Sequence, residues 1–202
     1  MSPQKPKVII FDLGGVLIDW WDGFVALSKL VDAPAKELHM FLQKYLKELE
    51  LGNMRQEDFW GIVAQTYNYN GSPYELQKTW IFSQTKIEPT WKLVEQLNDK
   101  YRLFICTNNW LGTVENQVKN IAEFKYFELI IDSSQEHMKK PDINFYRQIE
   151  KEIGETPENI LFIDDSERNC ESAKTEGWNT FVFDLDNDRG QACCDALLSQ
   201  LM

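Results

Sequence analysis

The 202-residue sequence predicts an α/β protein with a three-layer core, in which a parallel sheet lies between helices. Short apolar runs, rich in β-branched and aromatic residues, alternate along the chain with stretches that have helical spacing. Residues 19–87 break this alternation, because they show helical spacing but no convincing strand. We therefore expect a core formed by residues 1–18 and 88–202, and a small α-helical domain inserted after the first strand at residues 19–87.

Each predicted strand is a short apolar run bounded by polar or helical sequence. The predicted strands are residues 8–11, 103–106, 129–131, 160–163 and 180–183. The first, Val8-Ile9-Ile10-Phe11, runs directly into Asp12 and two glycines, which is typical of a buried strand that ends in a tight turn. Helices are predicted at residues 90–98, 144–153, 166–176 and 191–201. Strands that alternate with helices indicate parallel pairing with crossover connections.

The insertion is predicted from its apolar spacing. Phe24, Leu27 and Leu30 recur at the interval of a helix face, and residues 38–45 and 59–63 contain similar patterns. Residues 68–73 form a turn-rich loop. The pair Trp20-Trp21 stands where the chain enters the insertion, as a candidate substrate wall or as packing between the two parts.

Composition excludes some classes of partner. The formal net charge of −11 repels a phosphate backbone, and no basic run offsets it, so we expect no nucleic acid partner. No apolar segment is long enough to cross a membrane. The four cysteines lack the spacing of a metal site and indicate a reducing compartment, so we expect a cytoplasmic protein. The sequence leaves open whether it is a monomer or a homodimer.

Carboxylates follow two of the predicted strands. Because ligands bind outside the carboxyl ends of strands in open α/β sheets, Asp12, Asp164 and Asp165 are candidate site residues. Adjacent carboxylates repel, and a hard divalent cation such as Mg²⁺ relieves that repulsion. The structural alternatives are a turn-forming Asp12 and an N-cap role for Asp164-Asp165 at the following helix.

Two further polar elements follow strands. Thr107 and Asn108 come after the run that ends at Cys106, and Thr107 is either a phosphate ligand or a structural cap. Lys140 follows the third strand and precedes Pro141, which we expect to start a helix through residue 149. An ammonium there either neutralises a phosphate or is a solvated surface lysine.

These elements, in this order, resemble the motifs of the haloacid dehalogenase superfamily. The four motifs are residues 11–17, 105–108, 139–141 and 162–165, with Asn169 and Gly177 as further matching positions. The resemblance implies a Rossmann-like core, a helical cap that covers the site, and hydrolysis of a small phosphorylated substrate.

The resemblance also implies a role for each motif residue. Asp12 would attack phosphorus and form an aspartyl-phosphate. Mg²⁺ would bind the Asp12 carboxylate, the Gly14 carbonyl, and Asp164 or Asp165. The phosphoryl group would be held by Gly14, Gly15, Thr107, Asn108 and Lys140, with Thr107 and Lys140 stabilising its charge.

One position departs from the family pattern. Family phosphatases usually carry a second Asp two residues after the nucleophile for proton transfer, and here that residue is Gly14. A subgroup similar to some sugar-phosphate phosphatases shares this Asp-Leu-Gly pattern. Asp19 and Asp22 are candidate surrogates for the missing acid.

Two alternative functions remain open at this point. A 2-haloacid dehalogenase needs no acid for halide departure, but such relatives need no metal and use a cationic residue near the cap hinge. The chain has Lys29 and Lys36 there, but no Arg before Arg55. The other alternative is a weak or silent relative that binds a phosphorylated ligand.

The alternating carboxylates Asp184, Asp186 and Asp188 follow the last predicted strand, and we interpret them as a polar loop.

Overall fold

The computed structural model describes residues 5–185 and 188–201. In chain order its elements are β1 (Val8–Phe11), β2 (Ile18–Asp19), α1 (Trp21–Val31), α2 (Ala35–Leu42), α3 (Leu46–Glu50), α4 (Gln56–Thr66), α5 (Pro73–Phe82), β3 (Thr85–Lys86), α6 (Glu88–Leu97), β4 (Arg102–Thr107), α7 (Thr113–Val118), a 3₁₀ turn (Ala122–Tyr126), β5 (Leu129–Asp132), α8 (Ser133–Glu136), α9 (Ile143–Ile153), a 3₁₀ turn (Pro157–Asn159), β6 (Ile160–Asp164), α10 (Glu167–Thr175), β7 (Asn179–Val182) and α11 (Gln191–Leu201). Asp186, in the predicted polar loop, lies outside the described residues.

A five-stranded parallel sheet forms the centre of the core, in the order β5-β4-β1-β6-β7. Helices α6 and α11 pack on one face, with Ile9 and Phe11 of β1 beneath them. Helices α9 and α10 pack on the other face, over Val8 and Ile10. The predicted three-layer α/β fold is confirmed. Both faces of β1 are buried, which explains its unbroken apolar run.

Helices α1–α5 lie between β2 and β3 and have an apolar cluster of their own. That cluster includes Phe24, Trp60 and Trp80, and Trp110 from the loop after β4 joins it. The division into two domains at residues 19 and 87 stays a prediction. Among the described residues, no helix has both the length and the apolarity that a membrane crossing requires.

A short antiparallel pair joins the two ends of the insertion. Ile18 pairs with Lys86 and Asp19 pairs with Thr85. The expectation that residues 19–87 contain no strand is therefore wrong at both ends. Two-residue strands are too short to show any apolar period, so periodicity does not reveal them.

Two helix starts also differ from prediction. Helix α9 begins at Ile143 rather than at Pro141, because the Asp142 carboxylate caps it by accepting from the Asn144 N–H at 2.9 Å. Ser166 is the N-cap of α10 and accepts from the Asn169 N–H. The N-cap alternative for Asp164 and Asp165 is therefore wrong.

Candidate active site

Strand register brings the candidate carboxylates together at one edge of the sheet. Phe11 pairs with Ile105 on one side and with Ile163 on the other, so Asp12 lies beside the ends of both neighbouring strands. Its backbone N–H donates to the Ile163 carbonyl at 2.8 Å. One carboxylate oxygen from each of Asp12, Asp164 and Asp165 lies within 4.8 Å of the others. The first two are buried and Asp165 is exposed.

Lys140 lies beneath this cluster, with only 1% of its surface exposed. Its ammonium donates to Asp164 Oδ2 at 2.6 Å and to the Cys106 carbonyl at 2.9 Å, and lies 2.9 Å from Asp12 Oδ1. Lys140 is therefore not a surface lysine. The side chain of Asn108 positions it, since Asn108 Nδ2 donates to the Lys140 carbonyl and Oδ1 accepts from the Lys140 N–H, both at 2.9 Å.

The cluster of three carboxylates and Lys140 carries more negative than positive charge. Burial raises the pKa of Asp12 well above its usual range, and the charges of Asp164 and Asp165 add to this effect while Lys140 opposes it. Although Asp165 as a residue is exposed, desolvation of its carboxylate raises its pKa to about 6, and the charge of Asp164 adds to the shift. For Lys140, burial lowers the pKa, but the charges of Asp12 and Asp164 outweigh burial and hold that pKa above its usual value. Three carboxylates thus face one ammonium, and protons or a cation must compensate for the difference.

Residues at the start of α10 fix the Asp164 carboxylate. Its Oδ1 accepts from the Ser166 N–H at 2.8 Å and from Asn169 Nδ2 at 3.0 Å. Asn169 also lines the cavity above the cluster. In the sequence, Asn169 is only a position that matches the family, and its contact with Asp164 could not be read from one chain.

Gly14 and Gly15 differ in whether their backbone conformation and surroundings would permit a side chain. Gly15 has a φ of +77°, and a Cβ there would lie 2.2 Å from Asp165 Oδ2, so only glycine fits. Gly14 has no left-handed backbone, and a Cβ there would lie 3.2 Å from Cδ1 of Trp20. The indole of Trp20 therefore occupies the space into which a side chain at position 14 would extend.

A cavity of about 280 Å³ opens above the sheet edge. Its floor includes Asp12, Thr107, Asn108 and Asp165, and residues of α1, α2, α3 and α5 form part of its walls. Thr107 is the last residue of β4 and is buried. The predicted site residues that line the cavity or belong to the carboxylate cluster are Asp12, Gly14, Thr107, Asn108, Lys140, Asp164 and Asp165.

The two candidate surrogate acids are engaged elsewhere. Asp19 accepts from the Trp21 N–H at 3.1 Å and from Arg189 Nη2 at 3.2 Å. Asp22 accepts from the Thr85 hydroxyl at 2.6 Å. Neither is among the described residues that line the cavity. Asp19 contacts Arg189 of the core, whereas Asp22 connects the two ends of the insertion.

Two curated fungal proteins are similar to most of this chain. A sesquiterpene phosphatase of Aspergillus oryzae is 24% identical over 178 residues, which cover 85% of this chain and 86% of that protein. Drimenol cyclase drtB of Aspergillus calidoustus is 24% identical over 191 residues, or 88% of this chain. The match spans only 34% of the cyclase, about a third of its length.

Solved structures share the fold. A haloacid dehalogenase family enzyme of Bacteroides thetaiotaomicron, in complex with magnesium and inorganic phosphate, has a TM-score of 0.73 at 22% identity, covering 91% of this chain and 96% of that one. The L-2-haloacid dehalogenase of Xanthobacter autotrophicus has a TM-score of 0.70 at 18% identity, covering 96% of this chain and 83% of that one. At these identities the likeness concerns the fold alone.

The family model for haloacid dehalogenase-like hydrolases matches residues 9–183, which include the whole carboxylate cluster and Lys140. The chain belongs to the haloacid dehalogenase-like hydrolase family.

Proposed function

We propose that this hydrolase is a Mg²⁺-dependent phosphatase that cleaves phosphate monoesters of small metabolites through an aspartyl-phosphate at Asp12. The observation that carries the proposal is the cluster of Asp12, Asp164 and Asp165 around a fully buried Lys140. A carboxylate nucleophile, a cation site and a fixed ammonium are the groups that phosphoryl transfer requires.

The donor set fits a hard divalent cation. Three carboxylate oxygens lie within 4.8 Å of one another, and oxygen is the ligand that Mg²⁺ prefers. Formal charges of −3 from the carboxylates and +1 from Lys140 leave −2, which one divalent ion balances. Asp12, the Gly14 carbonyl, Asp164 and Asp165 would hold the ion, which supplies charge neutralisation for the phosphoryl group.

The proposed reaction has two steps at phosphorus. In the first, Asp12 forms a bond to phosphorus as the bond to the ester oxygen breaks, and the electron pair leaves with the alcohol. In the second, water breaks the aspartyl-phosphate and releases inorganic phosphate. Thr107, Lys140 and the backbone at Gly14-Gly15 would hold the phosphoryl oxygens as charge develops. Asn108 supports this by holding the Lys140 backbone at 2.9 Å.

Proton transfer to the leaving group is where this site departs from the usual family arrangement. Position 14 has no side chain, and Trp20 fills the adjacent space. We propose that the alcohol leaves largely unprotonated and takes its proton from solvent. Esters with acidic leaving groups, such as aryl phosphates, acyl phosphates and anomeric sugar phosphates, should then react fastest.

The relatives support phosphatase chemistry. One similar protein is named a sesquiterpene phosphatase, and a structural neighbour was crystallised with magnesium and inorganic phosphate. Dehalogenases of 2-haloacids need no metal, so this alternative does not explain the clustered carboxylates and fits the site less well. The proposal also includes a cap role for residues 19–87 and a monomeric or homodimeric state.

A phosphate-release screen over phosphorylated metabolites, with Mg²⁺ or with excess chelator, tests the proposal. We expect release from at least one ester with Mg²⁺ and none in chelator. Asp12→Asn should abolish release without unfolding the protein, because an amide does not attack phosphorus. Undiminished hydrolysis in chelator, or by folded Asp12→Asn, would contradict the proposal.

A further inference from the structure

We infer that the organic part of the ligand is a small apolar group, because stacked aromatic side chains wall the cavity above the carboxylate cluster and the polar side chains that the insertion adds to this wall are bonded to protein. The inference rests on the proposed function for the phosphate end of the ligand. It names the substrate class that this site would take: phosphate monoesters of small apolar alcohols, rather than of sugars.

The wall is aromatic and comes from both parts of the chain. Trp80 of α5 stacks on Trp110, with ring centroids 5.2 Å apart and planes 8° apart. Phe24 of α1 packs edge-on against Trp80 at 4.7 Å, and Trp20 packs against Phe24 at 5.9 Å. All four line the cavity, and Leu42 and Leu46 add to its apolar surface. Apolar and aromatic lining provides most of the contact area in small-molecule sites.

The polar side chains that the insertion contributes to this wall are engaged with protein. His39 Nε2 and Gln43 Nε2 are hydrogen-bonded at 2.9 Å, and Glu50 forms an ion pair with Lys139. Gln84 Oε1 accepts from Gln117 Nε2 at 2.9 Å.

A sugar would lose hydrogen bonds to water at each hydroxyl, and a site that reads hydroxyls must offer polar groups in exchange. The ring faces of Trp80, Trp110 and Phe24, which line the cavity, provide neither hydrogen-bond donors nor acceptors in exchange. The chemistry of this wall therefore favours an apolar group over a polyol.

The size of the cavity limits the ligand further. At about 280 Å³, it lies just below the range of roughly 300–1,000 Å³ that is usual for small-molecule sites. The phosphoryl group occupies part of that volume at the floor. We therefore expect binding to strengthen with the first few carbon atoms of an apolar chain and then to level off.

Binding of alkylphosphonates tests this without requiring turnover. With Mg²⁺ present, titration of methyl-, ethyl-, propyl- and butylphosphonate by calorimetry should show affinity rising about fourfold for each buried methylene. A hydroxylated phosphonate of matched length should bind no better than methylphosphonate. Affinity that is independent of chain length, affinity that is greatest for the hydroxylated probe, or a lack of binding by every phosphonate would overturn the inference.

Matched tryptophan variants test whether the aromatic wall of the cavity causes the dependence of affinity on chain length. Trp80 lines the cavity, whereas Trp60 belongs to the same apolar cluster but does not line it. Trp80→Phe should weaken butylphosphonate binding roughly fourfold to sixteenfold, the equivalent of one or two methylene contacts, and leave methylphosphonate binding unchanged. Trp60→Phe should leave both unchanged. If Trp80→Phe fails to fold, Phe24→Leu provides the same comparison, and equal effects of lining and control variants would overturn the inference.

A comparison of hydrolysis rates separates failure of this inference from failure of the proposed function. Butyl phosphate and glycerol 3-phosphate are both primary alkyl esters, so their leaving groups have similar acidity while their organic parts differ. Preference for butyl phosphate supports the inference, and preference for glycerol phosphate overturns it. Chain-length-dependent phosphonate binding, with no phosphate released from any ester, would overturn the proposed hydrolysis and leave the apolar site standing.

Discussion

Replacement of Lys140 by methionine tests the electrostatic account of the site at its centre. Methionine is uncharged and similar in length, so Lys140→Met removes the ammonium with little change in packing. The variant leaves Asp12 and Asp164 buried beside each other, without the cation that now lies 2.9 Å from one and 2.6 Å from the other.

The expected loss of stability follows from this geometry. Removing one partner of a buried ion pair costs about 3–5 kcal/mol, because the other charge remains desolvated. Two carboxylates lose their partner here, so we expect the upper part of that range near pH 7 without Mg²⁺. The pKa of Asp12 is already raised by burial and rises further in the variant, so the penalty should shrink as falling pH protonates that carboxyl.

Urea unfolding of wild type and Lys140→Met, near pH 7 and near pH 5, measures this penalty. Added Mg²⁺ should reduce it, because a divalent ion compensates the same carboxylates. Lys86→Met is the matched control: Lys86 pairs with Glu123 and both side chains are about a quarter exposed, so its loss should cost no more than about 1 kcal/mol. If Lys140→Met were as stable as wild type near pH 7 without Mg²⁺, the reasoning would be refuted.

Three further predictions concern other parts of the molecule. Gly14→Asp should flatten the dependence of rate on leaving-group acidity, with rate gains within the roughly 10²–10⁴-fold of general acid catalysis. A Cβ at position 14 would lie 3.2 Å from Trp20 Cδ1, so Trp20 must shift and the melting temperature is measured alongside. A well-folded variant with unchanged dependence would contradict the account. Burial raises the pKa of Asp132 from 3.8 to about 6, so the ionised carboxylate costs the folded protein at most roughly 3 kcal/mol. Because a raised carboxyl pKa destabilises the fold as pH rises, Asp132→Asn should gain stability over wild type between about pH 4 and 6, and a pH-independent difference would count against it. The apparent affinity for Mg²⁺, measured by calorimetry, should fall as pH drops through about 6, because desolvation raises the pKa of Asp165 to that value and a protonated carboxyl binds the ion poorly. Constant affinity across that range would argue against Asp165 as a ligand.

The core of the fold could be predicted from the sequence because local composition dictates it. Each sheet strand lies within about a residue of a predicted apolar run, since strands buried on both faces need continuous apolar residues. The position of Asp12 at a strand end follows from the same pattern, because a polar residue that ends an apolar run stands at the edge of the sheet.

The burial of Lys140 could not be predicted in this way. A lysine is mostly exposed unless it is paired, and its partners here, Asp12 and Asp164, are far away in the chain. Only the parallel register, which sets β6 beside β1, shows that these groups meet. The aromatic wall was equally hidden, because Trp80 and Trp110 come from different parts of the chain and stack only in the folded protein.

Mass spectrometry of acid-quenched protein, taken during Mg²⁺-dependent turnover of an ester that the screen identifies, tests the central claim most directly. The account predicts a phosphoryl group on the peptide that contains Asp12, absent in chelator and absent from Asp12→Asn. Steady release of phosphate with no phosphoryl group on that peptide, at a rate that Asp12→Asn matches, would contradict it.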